Sequence, residues 1–526
     1  MKLTVNAKLI GFVLGLASFV LILSLPIFPA FHSAAFDFTE EQMAPTNPFE
    51  IARSMQIALA LLVLMVIWWI TEAIPLPATA LLPAVVLPFF QLAGVESSNT
   101  YFFTPKNILV NYANPVIFLF LGGFLMAAAM QKWRLDRRLT LWLLTRGNLA
   151  NDTHWVLLGI MGVTAALSMW ISNTATAALM LPLGLGILSL LNVQAGESKF
   201  ATALMLGIAW SASIGGIGTL IGTPPNGIAL GILNTSMATD PSYVRITFLD
   251  WMKFGVPYVV LMVPVAWRVL IKLNPPEVRS IPGGKERLLE EKSQLGPLTT
   301  GEKGTLGIFC LAVLLWVSNP FWNAILPHTF AMRLRWVDEY AIGIAVGLLL
   351  FLIPINLKEG KFLLDWHDTK FVDWGTLLLF GGGLALSDLL FKTGLAAWIA
   401  KSFVGLIGSP SMVVMMLAVI FLVDFLTEVT SNTAVTTMVV PIVISIAQQT
   451  GGNPIALAVA TALASSMAFM LPVATPPNAI VYASGHVKLK DMIRNGFVLD
   501  ILGWLMTVGI LLVFADWVFG VIDIVG

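Results

Sequence analysis

SNTATAALMLP, from Ser172 to Pro182, returns in the second half of the chain as SNTAVTTMVVP, from Ser431 to Pro441. A second pair follows each in the same order: IGTPPNGIA, Ile221 to Ala229, is matched by VATPPNAIV, Val473 to Val481. Upstream, FLGG from Phe120 to Gly123 answers FGGG from Phe380 to Gly383. Matched motifs in one order at similar spacing identify an internal duplication, the feature to seek before any single motif.

The duplicated unit lies in a chain of 526 residues that is 57% hydrophobic and 11% charged, less than half the charge of an ordinary soluble domain. Such a composition belongs in a bilayer. Apolar stretches of about 20 residues, enough to cross about 30 Å of hydrocarbon, recur throughout. They predict spanning helices near residues 9–28, 54–71, 76–95, 113–131, 200–236, 250–271, 304–326, 339–357, 372–391, 453–484 and 496–522. Two more stretches, 155–190 and 410–447, have a polar centre and read as re-entrant hairpins. From the span near 113 to its counterpart near 372 the chain crosses five times, and a hairpin adds none or two, so the repeats are inverted. The expected fold is an all-α integral membrane protein of about 11 transmembrane helices plus two re-entrant hairpins in two inverted-topology repeats, an arrangement of secondary transporters. Residues 1–112 are expected to be N-terminal scaffold helices and 113–271 the first repeat. Residues 272–371 form a cytoplasmic linker with scaffold helices, and 372–526 the second repeat.

Basic residues set the expected orientation, because Lys and Arg gather in cytoplasmic loops. With the N-terminus inside, those loops receive Lys132, Arg134, Arg137, Arg138 and Arg146, then Arg268 to Lys303, Lys358 to Lys370, and Lys488, Lys490 and Arg494. Asp37, Glu40 and Glu41 fall outside, with Arg333, Arg335, Lys392 and Lys401 as exceptions. The chain reads as a multi-pass protein of the plasma membrane, the inner membrane in a bacterium, with its C-terminus outside. The first apolar run, behind Lys2 and Lys8, reads as a retained helix rather than a signal. Lys132 to Arg146 is either an amphipathic helix on the inner surface or a solvated extension of the preceding span. Equal numbers of acidic and basic residues, 29 each, leave no footprint for nucleic acid. The single cysteine, Cys310, excludes an intramolecular disulfide.

The repeated motifs carry the chemistry. Gly215, Gly216, Gly218 and Gly222 precede the first TPPN element, and Pro224, Pro225, Pro476 and Pro477 suit the first turn of a new half-helix. Each Ser-Asn-Thr element sits midway through a hairpin, where its side chains can cap the returning helix. Four helix N-termini, each worth roughly half a positive charge, would suit a dianion. Carbonyls freed at the breaks, with Ser, Thr and Asn oxygens, suit cations. No Lys or Arg occurs at the hairpin tips or TPPN breaks, so a bound cation supplies the formal counter-charge. Inward-negative potential opposes anion entry by about 2.3 kcal/mol per charge per 100 mV, which co-transported cations offset. Asp424 and Glu428 lie in the second hairpin without basic neighbours and are candidates for proton coupling. Asp388 and Glu72, near helix ends, read as structural. His32, His154, His328, His367 and His486 fall in predicted loops or at their edges and form no metal cluster.

At these residues the chain resembles the divalent anion:sodium symporter family, of which paired SNT motifs are a hallmark. SSMAFMLPVATPPNAIV, Ser465 to Val481, is similar to the family signature, and WWITEAIPLPATALLP, Trp68 to Pro83, has the same look. The resemblance covers nearly the whole chain. It implies sodium-coupled symport of a divalent anion, foremost a C4-dicarboxylate such as succinate, malate or fumarate. It also implies a homodimer of eleven-helix protomers, with transport domains moving like elevators against a scaffold. By motif position it implies a first sodium site at Ser168, Ser172, Asn173 and the Gly222 carbonyl. A second would use Thr427, Thr430, Asn432 and the Ala474 carbonyl. Substrate carboxylates would meet Asn173, Thr174 and Thr223 from the first half and Asn432, Thr433, Thr475 and Pro476 from the second. Sodium is cargo here, and no organic cofactor is implied. A dicarboxylate exchanger, a proton-coupled carrier, or a citrate or sulfate transporter of the same family are the alternatives. An enzyme would need a nucleophile, base or metal constellation, and the sequence contains none.

Overall fold

The computed structural model of the chain describes residues 5–145, 152–191, 193, 196–238, 240, 243–280, 284–408 and 410–519. Lys2, Arg146 and the C-terminal end lie outside the described residues.

Proline and small polar residues punctuate the apolar sequence into helices. The N-terminal part holds α1 (Val5–Ser24), α2 (Pro29–Glu41) and α3 (Pro48–Thr71), then the short α4 (Leu76–Thr79) and α5 (Leu82–Phe89). A hairpin of β1 (Ala93–Glu96) and β2 (Asn99–Phe102) follows, pairing Ala93 with Phe102 and Glu96 with Asn99. The continuous span expected over 76–95 is therefore replaced by two short helices and a hairpin. Pro75, Pro77, Pro83 and Pro88 remove backbone donors along this stretch. His32, expected at a loop edge, lies within α2.

The hairpin leads into α6 (Pro105–Tyr112), α7 (Pro115–Lys132), α8 (Leu135–Leu144), α9 (Thr153–Ser168), α10 (Asn173–Leu190), α11 (Lys199–Gly216), α12 (Pro224–Ser236) and α13 (Phe248–Leu273). Next come α14 (Gly284–Gln294), α15 (Thr300–Ser318), α16 (Trp322–Ile325), α17 (His328–Arg333), α18 (Glu339–Leu352) and a second small hairpin, β3 (Pro354–Asn356) with β4 (Lys361–Phe362). The second half continues with α19 (Trp374–Lys392), α20 (Leu395–Ile407), α21 (Met412–Thr427), α22 (Asn432–Thr450), α23 (Pro454–Ala464), α24 (Pro476–Ala483) and α25 (Leu489–Phe519). Among the described residues nine helical stretches are long and apolar enough to cross a membrane. The molecule is thus an all-helical, multi-span membrane protein with two incidental hairpins that the sequence reading did not anticipate.

The halves pack alike. Helix α11 lies on α9 and α10 as α23 lies on α21 and α22, and α13 covers α9 and α11 as α25 covers α21 and α23. They also interlock: α12 packs on α22 and α23, and α24 on α10 and α11. Phe120 of the FLGG element and Phe380 of FGGG meet at the junction, their ring centroids 4.7 Å apart and both side chains fully buried. Gly227 lies under Phe120, where a Cβ would approach the ring to 2.1 Å.

The stretch after α7 is a helix of its own, α8, rather than a continuation of the preceding span. The chain turns at Arg134 in the left-handed region (φ 53°) before α8 begins, and the linker then roofs it. Arg138 donates to Glu302 at 2.5 and 3.2 Å and to the carbonyls of Leu295 and Gly296 at 3.0 and 2.9 Å. Arg137 reaches Glu291 at 3.4 Å, and Lys132 donates to Asp368 at 2.6 Å. At two of the exceptions in the charge pattern, Lys392 pairs with Asp388 at 2.8 Å and Glu96 at 2.9 Å, and Lys401 with Asp37 at 3.3 Å. Glu72 ends α3 in a left-handed cap and pairs with Lys8 at 3.4 Å, so Asp388 and Glu72 are both structural ion-pair members.

Candidate functional site

Helix α9 ends at Ser168 because the turn Met169–Ser172 reverses the chain, and α10 starts at Asn173, where Ser172 caps the Ala175 N–H at 3.3 Å. The reversal brings Ser168 Oγ within 2.8 Å of Asn173 Oδ1 and 2.7 Å of the Ala212 carbonyl on α11. One hydroxyl proton serves two acceptor oxygens, leaving a surplus of lone pairs that favours a cation. Helix α11 stops at Gly216 and α12 starts at Pro224. A Cβ on Gly216 would lie 2.5 Å from Asn173 Oδ1 and 3.1 Å from Thr223 Cβ, and one on Gly222 would lie 2.4 Å from the Gly216 carbonyl. Only glycine allows this break to close on the hairpin tip. Ser168, Asn173, Gly222 and Thr223 thus form one neighbourhood.

The second half repeats the cluster with different residues. Thr427 Oγ1, at the end of α21, lies 2.6 Å from Asn432 Oδ1 and 2.9 Å from the Ser465 carbonyl. Again one proton is shared between two acceptors. Ser465 Oγ and Thr436 Oγ1 are 2.7 Å apart behind them. The break from Ser465 to Thr475 ends where Thr475 caps the Asn478 N–H at 3.3 Å and Pro476 opens α24. Both hydroxyl-amide-carbonyl clusters are buried at the hydroxyl, while Asn173 and Asn432 are half-buried and Thr174 and Pro476 exposed.

With these paired clusters in place, comparison with known proteins is decisive. The family model described as "Sodium:sulfate symporter transmembrane region" matches residues 44–521. The chain belongs to the sodium:sulfate symporter family. This is the divalent anion:sodium symporter resemblance seen in the motifs, and it makes the protein a transporter rather than an enzyme. Among curated members, the "Sodium-dependent dicarboxylate transporter SdcS" of Staphylococcus saprophyticus is 36% identical over 505 residues, covering 94% of this chain and 89% of that protein. The protein of the same description from Staphylococcus aureus strain USA300 is 35% identical over 445 residues, covering 82% of this chain and 80% of its own. Among solved structures, the Alcanivorax borkumensis YdaH transporter has a TM-score of 0.55 at 13% identity, covering 87% of this chain and 99% of that one. Neisseria gonorrhoeae MtrF has a TM-score of 0.53 at 13% identity, covering 91% and 97%. Those two likenesses are of fold.

Not every motif residue of this symporter-family chain joins its cluster through a side chain. Ser172 is exposed and its hydroxyl caps its own helix. Thr430 Oγ1 points to the Trp69 carbonyl of α3 at 3.4 Å. The hydroxyls of Ser172 and Thr430 are thus engaged away from the clusters, and their main-chain carbonyls are the groups left nearest an ion. Ser431 makes no side-chain cap, so the capping expected of the Ser-Asn-Thr elements is found at Ser172 and not at Ser431; in the TPPN elements Thr475 caps its half-helix and Thr223 does not. Thr433 is buried in the first turn of α22, and Ala474 is buried in the second break, its N–H donating to Leu471 O at 3.2 Å. Glu428, which follows Thr427, accepts the N–H groups of Met470 at 2.7 Å and Leu471 at 2.9 Å. The buried Asp424 carboxylate has no hydrogen-bond partner, and Asp500 of α25 faces both. No group of three His, Cys, Asp or Glu able to hold a metal ion occurs among the described residues. Sequence reading missed Ala212, Ser465 and Asp500. The first two act through main-chain carbonyls, and Asp500 lies in no repeated motif.

Proposed function

We propose that this chain is a sodium-coupled symporter of a C4-dicarboxylate such as succinate, malate or fumarate. The observation that carries the reading is the pair of buried clusters, each with one hydroxyl proton between two acceptor oxygens, at the hairpin tip of each half. Acceptor surplus suits sodium. The first cluster would use Ser168, Asn173, Gly222 and main-chain oxygen of Ser172, and the second Thr427, Asn432, Ala474 and main-chain oxygen of Thr430. The description of the staphylococcal relatives as sodium-dependent dicarboxylate transporters agrees with that chemistry.

A dianion then binds between the ions and the helix N-termini at Asn173, Asn432, Pro224 and Pro476, touching Thr174, Thr223, Thr433 and Thr475. Each N-terminus contributes roughly half a positive charge, and the bound sodium supplies the formal counter-charge that side chains here lack. Two sodium ions cancel the dianion, and a third makes uptake respond to membrane potential.

The wider architecture belongs to the same proposal. Eleven crossings and two re-entrant hairpins form inverted repeats over 113–271 and 372–526, against scaffold helices in 1–112 and 272–371. The N-terminus is cytoplasmic and the C-terminus outside, in the plasma membrane. Two protomers pair, and each repeat pair moves as an elevator. Buried Asp424 and Glu428, absent from every ion pair described above, favour proton-coupled carriage as the second reading.

Uptake of labelled succinate by the purified protein in liposomes tests this. Saturable uptake with an inward sodium gradient and none with potassium supports symport. Uptake driven by internal dicarboxylate without sodium means exchange, and uptake driven by a proton gradient alone means the second reading.

A further inference from the structure

The asparagine that closes each TPPN element takes no part in the clusters, yet Asn226 and Asn478 are both 0% exposed. Asn226 Nδ2 donates to the Gly216 carbonyl at 3.0 Å and the Thr219 carbonyl at 2.7 Å. Asn478 Nδ2 donates to the Ala468 carbonyl at 3.0 Å and the Leu471 carbonyl at 3.0 Å. In each half the two acceptors stand 10 and 7 residues before the asparagine. Both amide protons are used, which fixes the orientation of the side chain, and each Oδ1 is left buried without a hydrogen-bond partner.

An unwound segment in a helix frees carbonyls that need donors. Here one side chain from the first turn of the second half-helix reaches back over the break and holds two of them. The tie sets the separation of the two half-helices. In the first half it grips Gly216, the residue pressed against Asn173 Oδ1. In the second it grips the segment that leaves Ser465, whose carbonyl faces Thr427.

Filling space does not account for the amide. Leucine has the same branching, packs as well in an apolar core, and leaves no buried oxygen unpaired, which costs free energy at an asparagine. The same geometry recurs although its acceptors are Gly216 and Thr219 in one half and Ala468 and Leu471 in the other. A role in the donated bonds explains both facts.

We propose that Asn226 and Asn478 are positioning residues that hold each helix break at the spacing its cluster needs, and so set the sodium affinity of their own halves. The inference rests on the sodium-coupled reading above. It assigns the asparagines no contact with substrate.

The test is succinate uptake against sodium concentration in liposomes holding wild-type protein, Asn226→Leu, Asn478→Leu, Asn226→Ser or Asn478→Ser. Losing two donated bonds raises the sodium half-saturation roughly tenfold in each Leu variant, and by ~threefold in each Ser variant, whose hydroxyl keeps one donor. Succinate half-saturation and maximal rate at saturating sodium stay near wild type. A merely structural role lowers protein yield or maximal rate and leaves the sodium half-saturation unchanged, and that result overturns the proposal. Where a Leu variant fails to accumulate, the corresponding Ser variant decides by the same criterion. Failure of the sodium-coupled reading is seen separately, as wild-type uptake that is indifferent to sodium.

Discussion

The two helix breaks share a geometry and differ in what holds them shut. In the first, glycines at 216, 218 and 222 let the break press against the hairpin: a Cβ on Gly218 would lie 2.8 Å from the Met169 side chain, and Thr219 donates to the Met169 carbonyl. In the second, Ala468 and Ala474 occupy the positions of Gly216 and Gly222, and the break is longer. There Glu428, in the place of Met169, ties the break to the hairpin by accepting the Met470 and Leu471 N–H groups. One break closes by glycine contacts and a hydroxyl bond to a hairpin carbonyl, the other by hydrogen bonds to a carboxylate. What both keep is the hydroxyl, the hairpin amide, the carbonyl opposite and the TPPN asparagine, which identifies the part of the duplicated unit that function holds constant.

The largest expected effect tests the contact side of that contrast. Gly222→Ala puts a methyl group 2.4 Å from the Gly216 carbonyl and should lower the initial rate of succinate uptake by on the order of a hundredfold, while Ala474→Gly in the second break changes it less than about twofold. Equal losses would mean that the breaks are packed alike. Next, Ser168→Ala and Thr427→Ala should each raise the sodium half-saturation about tenfold, and Thr427→Ser should leave it near wild type. A shift confined to one half would end the equivalence of the clusters. Glu428→Gln removes one of two acceptor oxygens and leaves a buried N–H unpaired, costing about 1–3 kcal/mol. Thermal unfolding in detergent reads this, and Met169→Gln should cost less.

The smallest effect lies away from the breaks. Burial acts to raise the Asp368 carboxyl, but the Asp365 N–H and the Lys132 ammonium hold it below its ordinary value. A carboxylate depressed in this way stabilises the fold fully above its unfolded value, near pH 4, and loses that contribution as pH falls through the lower folded value. Lys132→Met should therefore lower stability by about 1 kcal/mol at neutral pH and flatten the acid limb of a melting-temperature profile.

Much of this was legible in the residues because the duplicated motifs act locally. Pro224 and Pro476 open half-helices and Asn173 and Asn432 begin the returning helices, as their types require. Apolar length located most spans for the same reason. The stretch 76–95 misled because its hydrophobicity is high while its three prolines, with Pro75 just ahead of them, remove backbone donors that one continuous helix would use. The partners of Arg137 and Arg138 could not be read, since Glu291 and Glu302 lie far along the chain. Nor could the clusters' carbonyls at Ala212 and Ser465, because every residue carries a carbonyl and only folding selects which one faces the hydroxyl. Asn226 and Asn478 stood in plain view within TPPN, but their bonds to residues 10 and 7 positions back exist only once the helix is broken.

The roof over α8 has a consequence for biosynthesis. Arg138 and its partner Glu302 are 164 residues apart, so at ordinary ribosomal speed the arginine waits on the order of ten seconds for its carboxylate. Lys132, whose partner Asp368 is 236 residues on, waits longer. While the early helices enter the bilayer these residues are bare cations. In the proposed orientation, with this loop cytoplasmic, a charge that the finished protein neutralises is at that moment an uncompensated anchor at the membrane surface, able to hold one end of α7 back from translocation until the linker arrives to cover it.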